Sequence, residues 1–110
     1  MILRYWRGWA TRENAAAYEA IFRGQVLPHL ASLELTGYHG AYLMRREVGD
    51  EIEFATITMF DSLDDVKGFA GDDYERAYVP DDARAVLTRF DERCVHYETL
   101  LTPRDTAQLP

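Results

Sequence analysis

"RYWRGW", residues 4–9, places two tryptophans, a tyrosine and two arginines in six consecutive positions. Three readings compete for such a stretch: a base-stacking surface, a wall of a ligand pocket, or a strand with no exposed face. Charge argues against the first. The chain carries a net charge of −7, and its longest cationic run is the pair Arg45-Arg46. Nucleic acid and anionic membrane both require a cationic footprint, so neither is an expected partner. The arginines at 4 and 7 stand alone among aromatics and form no stripe.

Outward from this stretch, the pattern is that of a small mixed domain. Residues 2–9 have strand composition. Thr11 is placed to cap a helix, with Glu13 in its first turn. Tyr18, Ile21, Phe22, Val26, Leu30 and Leu33 then recur at steps of three or four, which predicts one apolar helical stripe. Pro28 lies inside that stripe and cannot donate to the carbonyl of Gly24, which predicts a bend rather than a break. Residues 38–46 and 52–60 read as a hairpin around "EVGDE", with Gly49-Asp50 at the turn. Ser62 with Asp65 opens a short helix through Phe69, and Pro80-Asp81-Asp82 begins another. "RCVHYETLL", residues 93–101, reads as the last strand. Residues 102–110 show neither pattern nor apolar content and are expected to be a flexible tail.

The order β-α-β-β-α-β predicts an α+β, ferredoxin-like antiparallel sheet with helices on one face, formed by a single domain over residues 1–101. A hydrophobic content of 47% in 110 residues supports one modest core. The single cysteine, Cys94, excludes an internal disulfide and suits a reducing compartment. The opening residues lack a signal-peptide apolar core, and no window nears the roughly 18 apolar residues of a membrane span. A cytoplasmic protein is expected.

The strands alternate poorly. Ile2, Trp6 and Gly8 oppose Leu3, Tyr5 and Trp9, while Phe54 and Phe60 oppose Ile57 and Met59. Both faces carry large apolar groups, yet a domain of this length has helices for only one of them. A second copy of the chain is the expected cover for the other, giving a homodimer through the sheet face.

Residues 54–77, "FATITMFDSLDDVKGFAGDDYERA", make the chain resemble the dimeric α/β-barrel proteins grouped with antibiotic-biosynthesis monooxygenases. The resemblance spans about residues 1–100. It implies two sheets closing into a barrel, with a ligand cavity between sheet and helices. It also implies a cofactor-independent monooxygenase acting on an aromatic or polyketide-like molecule. The alternatives are a non-catalytic small-ligand or stress-related binding protein, or a lyase or cyclase with the same walls. Haem-degrading relatives carry an asparagine where this chain has Trp6 and a ligating histidine near Tyr78 or Val79, so haem chemistry is not expected here.

Within that frame His96, on the last strand, is the candidate base for an acidic phenol. Arg4 should share the helix-facing side with Trp6. A buried arginine there needs either an anionic ligand or a carboxylate, and Glu98 is the expected structural partner. Trp6, Phe69, Tyr74 and Tyr78 are the candidate walls of a flat apolar pocket, against the simpler reading of core packing. Cys94 and His96 fall two apart, but His29 and His39 supply no matching spacing, so no metal site is expected; the resemblance implies no cofactor.

Overall fold

The computed structural model describes residues 1–108; the last two residues of the expected tail, 109 and 110, lie outside the described residues. The elements are β1 (Ile2–Thr11), α1 (Arg12–Ile21), a π-helical turn (Phe22–Val26) and α2 (Leu27–Ser32). They continue with β2 (Tyr38–Val48), β3 (Glu51–Phe60), α3 (Leu63–Ala70), α4 (Asp81–Val86), β4 (Arg89–Phe90), β5 (Val95–Glu98) and α5 (Pro103–Thr106). The sheet order is β2-β3-β1, with β4 and β5 sharing the far edge of β1, and every pairing is antiparallel. This is a ferredoxin-like α+β arrangement. No described helix is long and apolar enough to cross a membrane.

Local chemistry sets most boundaries. The Thr11 hydroxyl accepts from the Asn14 N–H at 3.2 Å and starts α1. Ser62 does the same for Asp65 at 3.2 Å and starts α3. The β2–β3 hairpin closes on Gly49-Asp50, and Gly49 takes φ 57° as a primed turn demands of its first central residue. The expected bend at Pro28 takes the form of a π turn. The Leu27 N–H reaches back five residues to the Phe22 carbonyl, which widens the helix where the proline ring would otherwise strike the Gly24 carbonyl.

The expected continuous strand over 93–101 is corrected. Residues 89–90 and 95–98 pair with β1, Asp91 N–H still donates to the Arg7 carbonyl at 2.9 Å, and residues 92–94 turn aside. There Ala77 N–H donates to the Glu92 carbonyl at 2.9 Å and Cys94 N–H to the Glu75 carbonyl at 2.5 Å. Backbone groups satisfied by the 75–77 segment cannot also serve β1. Beyond Glu98, Leu100 and Leu101 are largely exposed. Residues 103–106, expected as part of a flexible tail, form a helical turn. Thr102 and Asp105 close a reciprocal capping box around its start.

The core lies between the inner sheet face and the helices. Phe54, Phe60, Ile52 and Val66 are fully enclosed, and Tyr18 packs on Phe54 with ring centroids 4.7 Å apart. The "RYWRGW" strand divides as alternation requires: Arg4, Trp6 and Gly8 point inward, and Tyr5, Arg7 and Trp9 point outward.

The outward face has two halves. At one end Trp9 is buried without a second chain, because the guanidinium of Arg89 lies 4.1 Å and that of Arg7 5.2 Å from its ring centroid. Glu53 nearby is gripped twice by Arg46, at 2.9 and 3.1 Å. At the other end Leu3, Tyr5, Ile57 and Met59 are half-buried, and Tyr42, Met44, Val95 and Tyr97 are exposed at 42–57%. Arginines of the same chain therefore cover part of this face, and an apolar patch remains.

Candidate functional site

A half-open cavity of about 60 Å³ lies between the inner sheet face and the helices. Its floor comes from β1 and β3, through Arg4, Trp6, Thr56 and Thr58. Its roof comes from Tyr18 on α1, from Phe22 and Val26 of the π turn, and from Leu30 on α2. Phe69 on α3 and Tyr78 on the following connection stand at one side. Register explains the floor: Arg4 lies directly opposite Thr58 and Trp6 directly opposite Thr56, so all four side chains rise on one face.

Arg4 is the unusual member. It is only 4% exposed, and among the described residues no carboxylate lies within ion-pair distance of it. Its Nη1 donates to the Tyr74 carbonyl and, at 3.0 Å, to His96 Nε2, while Nη2 donates to the Arg76 carbonyl at 2.8 Å. Nε–H and the second Nη2–H have no protein partner among the described residues. Burial lowers the guanidinium's pKa, but arginine keeps its proton in proteins. The expected partner Glu98 is corrected: it lies opposite Ile2, two residues from Arg4, and His96 occupies the position across from Arg4.

His96 is therefore an acceptor. Arginine can only donate, so the Nε2 lone pair faces Nη1 and the neutral ring carries its proton on Nδ1. Burial, and then the adjacent Arg4 charge, hold the imidazolium pKa below its usual value. Nδ1 is buried with no partner. His96 does not line the cavity. It borders a separate open depression together with Tyr74, whose ring meets it edge-on at 5.3 Å.

Of the sequence-derived candidates, the structure brings Arg4, Trp6, Phe69 and Tyr78 to one cavity. It sets His96 and Tyr74 behind Arg4. Trp6 is fixed by donation from Nε1 to the Asp91 carbonyl at 2.7 Å and by its neighbours Tyr18 and Phe90. Phe69 places its ring 5.5 Å from the Arg4 guanidinium carbon. Tyr78 stacks on His29, centroids 4.6 Å apart, at the cavity mouth.

Sequence reasoning missed Thr58 and Cys94 as wall residues. A threonine in a strand carries no signal by itself; only the inward parity it shares with Phe54 and Phe60 could have flagged it. Burial raises the Cys94 thiol pKa, with Arg4 partly opposing the shift, so the sulfur stays protonated at neutral pH. Among the described residues no three histidine, cysteine or acidic side chains gather as a metal set.

Chemically, the arrangement offers one buried cation with free N–H groups, two threonine hydroxyls and walls of aromatic and aliphatic carbon. Comparison with protein-family models and with curated proteins gives no match, so the assignment of a role rests on this geometry.

Proposed function

We propose that the protein binds a compact acidic aromatic molecule in the cavity between sheet and helices, and does so as a homodimer joined through the outward sheet face. The observation that carries the reading is Arg4. A cation 4% exposed, with no carboxylate against it and with N–H groups to spare, costs several kcal/mol to desolvate, and an anion in the cavity offsets that cost. The walls supply the rest of the recognition, since apolar and aromatic surfaces around a few convergent polar groups are the usual make-up of a small-molecule site. Size narrows the class. A cavity of 60 Å³ has room for roughly four water-sized probes. A single ring fits with part of its body in the mouth or with the π turn displaced, and a polycycle does not.

This reading favours binding over the monooxygenase activity that the resemblance implies. Oxygenation of a phenol calls for a base that can reach the substrate, and His96 turns its lone pair to Arg4 from outside the cavity. The dimer is supported by the uncovered apolar half of the outward face, since contiguous exposed apolar surface is the usual mark of an interaction site.

The test is titration of aromatic acids and phenols into ¹⁵N-labelled protein, followed by amide shifts, with oxygen uptake on model anthrols and quinols in parallel. Shifts concentrated at Arg4, Trp6 and Phe69, lost in Arg4→Met, are expected, with no oxygen consumption. Absence of any shift at millimolar ligand overturns the binding reading; oxygen uptake restores the monooxygenase.

A further inference from the structure

We infer that the acid group of the ligand is a carboxylate, held jointly by Arg4 and the hydroxyl of Thr58. The inference rests on the binding reading above and names the chemistry of its anion. Two independent features meet at one point of the sheet. The first is the pattern of donors that Arg4 has left. Both Nη1 protons and one Nη2 proton go to Tyr74, His96 and Arg76, so what remains is Nε–H and one Nη2–H. Nε and Nη2 share one edge of the planar group, and with the unused Nη2–H on that edge the two form the fork that grips a carboxylate with two parallel hydrogen bonds.

The second feature is Thr58. It lies directly across from Arg4 in the β1–β3 register and contributes to the same cavity wall. Its Oγ1 is buried and has no hydrogen-bond partner. A buried hydroxyl left unpaired is costly and uncommon; a ligand oxygen beside Arg4 would satisfy it.

Together the two features select among anions. A carboxylate has two oxygens, so it can take the arginine fork and still accept from a hydroxyl on the neighbouring strand. A phenolate has a single oxygen to divide between two strands. A phosphate brings a second charge, and no other cationic side chain lines the cavity to meet it. The walls around this pole, Trp6 and Phe69 above all, suit a ring attached directly to the carboxylate.

The experiment compares sodium benzoate, benzamide and phenol on the full chain, wild type against Thr58→Val and Thr58→Ser, with calorimetric Kd and thermal midpoint measured for each protein. Benzoate should bind best, and benzamide at least ten-fold more weakly, since it lacks the charge. Thr58→Val should weaken benzoate by about ten-fold, the size of effect expected for one hydrogen bond to a charged group. Thr58→Ser should restore it. Thr58→Val should also melt no lower than wild type in the absence of ligand, because it removes an unsatisfied hydroxyl at constant shape. That opposite movement of stability and affinity is one that a merely structural threonine would not produce. Benzoate binding unchanged in Thr58→Val, or benzamide binding as tightly as benzoate, overturns the inference while leaving an aromatic cavity in place. Failure of all three probes overturns the binding reading along with it.

Discussion

Gly8→Ala is the substitution whose cost follows most directly from the geometry. Gly8 and Trp6 share the inward face of β1, and the far end of the indole reaches over the glycine. A Cβ built at position 8 would sit 2.5 Å from Trp6 Cη2 and 3.1 and 3.2 Å from two further ring carbons. Carbon pairs prefer roughly 3.5–4.0 Å, so the far end of the ring must retreat by about 1 Å. It has little freedom to do so: Nε1 is bound to the Asp91 carbonyl at 2.7 Å, and Tyr18 and Phe90 flank the ring. Overpacking of this kind costs about 1–3 kcal/mol. Replacing a strand glycine by alanine returns roughly 0.5–1 kcal/mol of backbone entropy. A net loss of about 1–2 kcal/mol follows, equivalent to a fall in Tm on the order of 5–10 °C for a domain of this size. Urea unfolding read by tryptophan fluorescence, with near-ultraviolet circular dichroism of the native state, measures both the loss and the displaced ring. Gly68→Ala is the control. It sits within α3 with nothing inside 4 Å of its added Cβ, and should gain roughly 0.5–1 kcal/mol. Wild-type stability and an unchanged dichroism spectrum in Gly8→Ala would refute the argument that the indole rests on a bare backbone.

Three further outcomes are expected. Sedimentation velocity at micromolar concentration should show a species of twice the 12.7 kDa chain, and Tyr97→Glu, on the exposed half of the outward face, should convert it to monomer; a wild-type monomer removes the dimer from the proposal. Because the His96 pKa is held below its ordinary 6.5 in the folded chain, its contribution to stability is complete above pH 6.5 and is lost as pH falls toward the depressed value. Urea midpoints at pH 7.5 and 5 should therefore differ more in wild type than in His96→Gln, and equal differences would show that this ring is not the group responsible. Ser62→Ala removes the cap on α3 and should cost about 1 kcal/mol by the same assay, with no change in benzoate affinity, since Ser62 is not among the cavity walls.

Much of this architecture could be read from local chemistry. Thr11, Ser62 and Gly49 announced their caps and turn because each acts within a few residues of itself. Parity along β1 placed Arg4 and Trp6 together, since a strand has only two faces. Long-range register was a different matter. Which residue stands across from Arg4 depends on where the last strand leaves β1, and that is set by non-local backbone bonds between Glu75 and Cys94 and between Ala77 and Glu92. So Glu98 was expected and His96 is found. The burial of Trp9 divides the same way. Arg7 is two residues off on the same face, whereas Arg89 arrives from the far end of the chain. The helical turn at 103–106, expected as flexible tail, is a miss of the local kind: Thr102 and Asp105 stand at capping-box spacing, but no apolar periodicity follows them.

The π turn over 22–26 has one more consequence. A π turn spends one residue beyond what an α turn needs, and each residue of helix rotates the chain by roughly 100°. The face that α2 shows to the sheet is consequently set by a single surplus position in that segment. Deleting Gly24, an exposed residue whose side-chain direction is open, would remove that surplus position, turn α2 by roughly 100° and swing Leu30 away from the cavity roof. The shape of the cavity's ceiling is thus tuned by chain length, to within one amino acid, rather than by the identity of any side chain that lines it.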